Sequence, residues 1–82
     1  MENKINKINR NQYIDCDKIE QLRKDRNYSI SYMNKNVLQL NGRNSLRRKL
    51  NGEIAFSVSE LVLLANLFGC TVNDLLINKG RI

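Results

Sequence analysis

The run SISYMNKNVLQLNGRNSLRRKLNG, residues 29–52, decides how this chain is read. Ser29 supplies an N-cap, a hydroxyl placed to accept a first-turn amide. Ile30, Met33 and Val37 follow at three- and four-residue spacing, which predicts one apolar helix face over about 30–38. Gln39-Leu40-Asn41-Gly42 breaks that spacing and reads as a turn. A further helix over about 43–50 turns Leu46 and Leu50 inward, with Gly52 just past its C-terminus, where a left-handed residue is favoured. The same segment carries Lys35, Arg43, Arg47, Arg48 and Lys49 and no acid, which is +5 of the chain's net +6. Solvated helix faces mix signs; an uncompensated basic block marks a surface that meets a polyanion.

Working outward, residues 1–12 are Asn- and Lys-rich and read as a flexible basic arm, with Lys4, Lys7 and Arg10 as possible arm contacts to a polyanion. Asp15 caps a first helix that buries Ile19 and Leu22 and stops at Asn27. On the other side, Phe56 staples the entry to a helix opened by Ser57-Val58-Ser59-Glu60, a capping box in which hydroxyl and carboxylate satisfy each other's backbone amides. Val58, Leu61, Leu64, Ala65 and Phe68 form its apolar stripe and Gly69 ends it. Thr71-Val72-Asn73-Asp74 repeats the box ahead of Leu75, Leu76 and Ile77, which predicts a fifth helix. No stretch alternates with strand period, and there is no proline. The expectation is an all-α, compact bundle of about five short helices in one domain, 13–78, with a tail at 79–82.

Composition narrows the function classes. The chain has 82 residues, enough for one small core. There is no histidine, so imidazole metal sites and His-based triads are excluded. Cys16 and Cys70 have neither zinc spacing nor the density of a disulfide framework, and read as small hydrophobes. The longest apolar run, Leu61 to Ala65, is far short of a membrane span. The expectations are no enzyme, no cofactor, no metal, no membrane partner, and a cytoplasmic, nucleoid-associated location.

Two short helices joined by a turn, the second dense in Arg and Asn, suggest a helix-turn-helix. With Leu46 and Leu50 inward, the opposite face of the second helix holds Asn44, Arg48 and Asn51, with Ser45 and Arg47 to either side. Arginine matches the O6/N7 edge of guanine and asparagine that of adenine, so these five residues are expected to read bases. Ser29, Lys35, Arg43 and Lys49 flank them and are expected at phosphates.

The run from Ile19 to Leu76 resembles the Cro/phage-repressor (XRE-type) helix-turn-helix family. The resemblance is carried by Ile19, Leu22, Arg23 and Arg26; by Ser29, Met33 and Val37; by Gly42-Arg43-x-Ser45-Leu46-x-Arg48-Lys49-Leu50-Asn51-Gly52; by Phe56 and Glu60-Leu61; and by Leu64-Ala65-x-Leu67-Phe68-Gly69-Cys70-Thr71-Val72-x-Asp74-Leu75-Leu76. It implies a lambda-repressor-like DNA-binding domain, a homodimer on a palindromic operator in double-stranded DNA, and repression of transcription, as in a phage or mobile element. It also implies that Asn44, Ser45, Arg47 and Arg48 occupy the base-reading positions. The sequence departs from the family at Asn34 and Leu38, where a small residue and a glycine are usual. The turn is about two residues longer, and Leu50 stands where a glutamate commonly pairs with the first-helix arginine. That leaves Arg23 to Glu60 or to solvent. A rival from another class is a protein-binding module on the same scaffold, such as an antitoxin or a phage-encoded inhibitor of a host nucleic-acid enzyme.

Overall fold

Asp15 caps the first helix as its sequence predicts: a carboxylate oxygen accepts the Lys18 amide (3.1 Å), and α1 runs Cys16–Asp25. Asn27, at φ +59°, turns the chain out of it. The computed structural model, which describes residues 9–77, continues from there into α2, capped by Ser29 through the Tyr32 amide (2.9 Å). Helix α2 begins as an α-helix, Ile30–Tyr32, and runs on as a π-helix, Met33–Val37, closed by the Leu38 amide on the Met33 carbonyl (2.9 Å). In an α-helix, residues five apart lie about 140° from each other. The wider turn stacks them, and so Met33 and Leu38 both enter the core. The left-handed residue that ends α2 is Gln39, at φ +53°, one past Leu38, which accounts for the tolerance of a leucine there.

Helix α3 is Ser45–Leu50, two residues shorter at its start than the apolar spacing predicts; Arg43 and Asn44 belong to the turn. Helix α4, Val58–Phe68, has the expected capping box, with Ser57 N–H on Glu60 Oε1 (2.9 Å) and Glu60 N–H on Ser57 Oγ (3.1 Å). Leu61, Leu64, Ala65 and Phe68 are buried as the stripe requires, but Val58 is 74% exposed. Val58 lies one turn before the exposed Val62, and both fall on the outward side of the helix. The expected fifth helix is one 3-10 turn, Asn73–Leu75. The Thr71–Asp74 box forms, but the chain after Leu75 is extended. Leu76 bridges Ile14 there, and the Ile77 amide donates to the Tyr13 carbonyl (2.9 Å). The extended ending gives the Tyr13 carbonyl and the Asp15 amide, at the entry to α1, partners that a further helical turn would take from them.

The core joins the four described helices: Ile19 from α1, Met33 from α2 with Leu38 just past its end, Leu46 from α3 and Leu61, Leu64, Ala65 and Phe68 from α4, closed by Phe56 and Leu75. The architecture is mostly helical, with no strand among the described residues and no described helix long and apolar enough to cross a membrane.

Residues 9–12, expected in the flexible arm, are instead part of the packed structure. Asn11 is 2% exposed, and its amide group donates to the Lys49 (2.7 Å) and Ile54 (2.9 Å) carbonyls while its oxygen accepts the Phe56 amide (2.8 Å). The Arg10 amide donates to the Gly52 carbonyl (2.9 Å). The domain therefore starts before residue 13. Lys4, Lys7 and the tail at 79–82 lie outside the described residues.

Candidate nucleic-acid interface

The turn between α2 and α3 is built around one side chain. Asn34 is buried; its Nδ2 donates to the Gly42 carbonyl (2.8 Å) and its Oδ1 accepts the Leu46 amide (2.8 Å). Its own carbonyl accepts the Leu40 amide (2.8 Å). The Leu46 amide is one of the first-turn donors that no helix can satisfy internally. Asn44, at the N-cap of α3, makes no side-chain capping bond, so Asn34 caps α3 from the neighbouring helix. The turn and the asparagine at 34 are two parts of one device that fixes where α3 starts. Sequence reasoning passed over Asn34 as a departure; a polar residue on the inward side of an apolar helix was the available signal.

With α3 fixed, Asn44, Arg47, Arg48 and Asn51 are exposed at i, i+3, i+4 and i+7, one stripe opposite the buried Leu46. Ser45 does not join them. It is half-buried and its hydroxyl donates to the Asn41 carbonyl, so it serves the turn. Lys35 and Arg43 are exposed and line one cleft with Ser31, Asn34, Leu40 and Gly42. Ser29 is exposed at the start of α2 with its oxygen already engaged as a cap. Arg10 is exposed near the end of α3 through its backbone contact with Gly52.

Lys49 corrects the sequence reading outright. Expected at the phosphate flank, it is 7% exposed. Its Nζ donates to the Ala55 carbonyl (2.9 Å), pairs with Glu60 (3.1 Å) and lies 5.9 Å from the centroid of the Phe56 ring. The reason is angular: Lys49 is three residues after Leu46 and one before Leu50, on the inward side of the wheel. A buried ammonium is stable there because a carboxylate and a carbonyl await it.

The acid-free run is likewise not acid-free in space. Glu20 of α1 approaches Arg47 (3.8 Å), Glu53 pairs with Arg48 (3.2 Å), and Glu60 of α4 takes Lys49. Of the five cations in the segment, Lys35 and Arg43 make no ion pair among the described residues. Arg23, expected to meet Glu60 or solvent, holds Glu20 through two bonds (3.0 and 2.9 Å) and donates to the Tyr28 carbonyl (2.8 Å). Hydrogen bonding from Arg23, and then its charge, hold the Glu20 carboxyl below the usual glutamate range despite partial burial. Arg26 closes the far end of α4, on the Phe68 carbonyl (3.0 Å) and over its ring.

No cluster of metal-ligating side chains occurs among the described residues. Burial pushes the Cys16 thiol up, away from the reactive thiolate, with Asp17 and Asp15 adding to the effect. In comparisons with protein-family models, curated proteins and solved structures, the chain matches none.

Proposed function

We propose that this protein binds double-stranded DNA in a sequence-specific way and regulates transcription, with α3 entering the major groove. The observation that carries this reading is the exposed stripe Asn44–Arg47–Arg48–Asn51 beside a cleft lined by Lys35 and Arg43. The stripe offers donors with the geometry of purine edges, and the cleft offers charge for phosphates. A six-residue helix reads few base pairs, so the reading includes a homodimer on a palindromic operator. Resemblance to the Cro/phage-repressor family adds repression as the outcome and the cytoplasm as the place.

Selection from a random duplex library is the direct test. An enriched motif is expected, and Arg48→Ala should cost roughly 1–3 kcal/mol on it and relax one base position. Lys35→Ala and Arg43→Ala should weaken all duplexes alike and flatten the salt dependence. Uniform, salt-only affinity across the library would remove the specific-regulator reading.

A protein-binding role, as an antitoxin or an inhibitor of a nucleic-acid enzyme, is favoured by a different observation. The outward side of α4 exposes Val58, Val62 and Leu63 with only Ser59 and Asn66 between them, a face without charge. Val62→Glu separates the two readings: loss of a complex with a different protein, in a chain whose wild type shows no preference among duplexes, supports the second.

A further inference from the structure

Arg48, in the middle of the exposed stripe, is held by a carboxylate that the helix ending itself delivers. Gly52, at φ +84°, lets the chain reverse so that the Gly52 amide donates to the Lys49 carbonyl (3.0 Å) and the Glu53 amide to the Arg48 carbonyl (2.9 Å). This pair of bonds brings the side chains of the two outer residues together, commonly as an apolar contact. Here the contact is ionic: Arg48 Nε donates to Glu53 Oε1 at 3.2 Å, with the side chains 56% and 46% exposed. The bond uses Nε alone. Both terminal amino groups of the guanidinium are without a partner among the described residues.

We propose that Glu53 is a specificity-determining residue: its carboxylate cancels the charge of Arg48 toward phosphates while leaving the terminal fork of the guanidinium open to a guanine edge. This rests on the DNA-binding reading above. Non-specific binding counts charges, because affinity comes from counterions released at phosphates, and a carboxylate beside an arginine offsets that arginine's share. Base reading counts donors in a fixed geometry, and those donors remain. The pair therefore subtracts from affinity for any duplex more than from affinity for the right one, which is how discrimination is raised by a repulsive element. Arg47 provides the contrast. Glu20 meets it at 3.8 Å through a terminal amino group, while Arg23 occupies both oxygens of the same carboxylate. Glu20 therefore dilutes the charge of Arg47 without orienting its fork.

The test is titration of the wild type, Glu53→Gln and Glu53→Ala against the library-enriched duplex and a scrambled one, over a range of salt. Glutamine keeps an oxygen for Nε and removes the charge; alanine removes both. Glu53 is exposed, and far-ultraviolet circular dichroism checks that each variant is folded. In Glu53→Gln, affinity for the scrambled duplex should rise about three- to tenfold, with a log–log salt slope steeper by about one. The ratio of enriched to scrambled affinity should fall at least about threefold in Glu53→Gln and further in Glu53→Ala, which also loses the orientation of the fork. An unchanged ratio in both variants, with a wild type that prefers the enriched duplex, would overturn the role of Glu53 alone. A wild type without preference would overturn the DNA-binding reading and this role with it.

Discussion

Replacing Asn34 with alanine takes away both side-chain hydrogen bonds that close the α2–α3 turn, and their environments differ. The Leu46 amide belongs to a fully buried residue, so without Asn34 Oδ1 it loses its partner and is shielded from water. An unsatisfied buried donor costs about 1–3 kcal/mol. Gly42 is exposed, so its carbonyl recovers a water partner and the loss there is only the net worth of one hydrogen bond, about 1 kcal/mol. The expected destabilisation is therefore about 2–4 kcal/mol, a large share of the total stability of a domain this size. Urea denaturation followed by helical circular dichroism measures it, with Asn36→Ala, exposed on the same helix, as a control expected within about 0.5 kcal/mol of wild type. Hydrogen exchange at the Leu46 amide should accelerate in the variant beyond what global unfolding explains. A loss below about 1 kcal/mol, or unchanged protection of that amide, would refute the assignment of Asn34 as the cap of α3.

Lys49→Met should destabilise the fold by roughly 1–3 kcal/mol, since it leaves Glu60 without its cation, yet it should leave the salt slope of DNA binding as in wild type. A flattened slope would return Lys49 to the phosphate flank. Because the folded pKa of Glu20 lies below its unfolded value, its contribution is complete above the ordinary glutamate range and is lost as pH falls through the lowered value. Urea midpoints measured down the acid limb should fall more steeply in wild type than in Glu20→Gln; equal slopes would contradict the Arg23–Glu20 pairing. Gly69→Ala meets open space at φ +72° and should cost about 1–2 kcal/mol of backbone strain alone. Gly52→Ala should cost more, because the new methyl group runs into the Asn9 side chain, and equal thermal shifts for the two would argue against that contact.

What the sequence disclosed was the local chemistry. Caps at Asp15, Ser29 and Ser57, stops at Asn27 and Gly69, and the inward positions of Leu46, Leu61, Leu64 and Phe68 each depend on neighbours within four residues. Ser45 was lost to a bond with Asn41 only four residues away, but the larger misreadings involve partners far away in the chain. Asn11 bonds to groups near residues 49–56, Asn34 caps a helix twelve residues on, and Lys49 turns inward toward a carboxylate of α4. The basic run looked uncompensated because its counter-charges, Glu20, Glu53 and Glu60, come from outside it. Charge density along a chain reports charge in space only when neighbouring elements are neutral, and here they are not. The fifth helix failed for the same reason, since the backbone after Leu75 pairs with residues 13–15.

That last pairing has a kinetic side. The Ile14–Leu76 bridge joins segments separated by nearly the whole described chain, whereas the caps and helix ladders close over a few residues. Bringing two such distant points together costs about 3–4 kcal/mol in loop-closure entropy when nothing between them is ordered, and far less once α1 to α4 have packed. The clasp therefore forms late on the route to the native state. Weakening it shortens the lifetime of the folded molecule while leaving the speed of its formation nearly untouched.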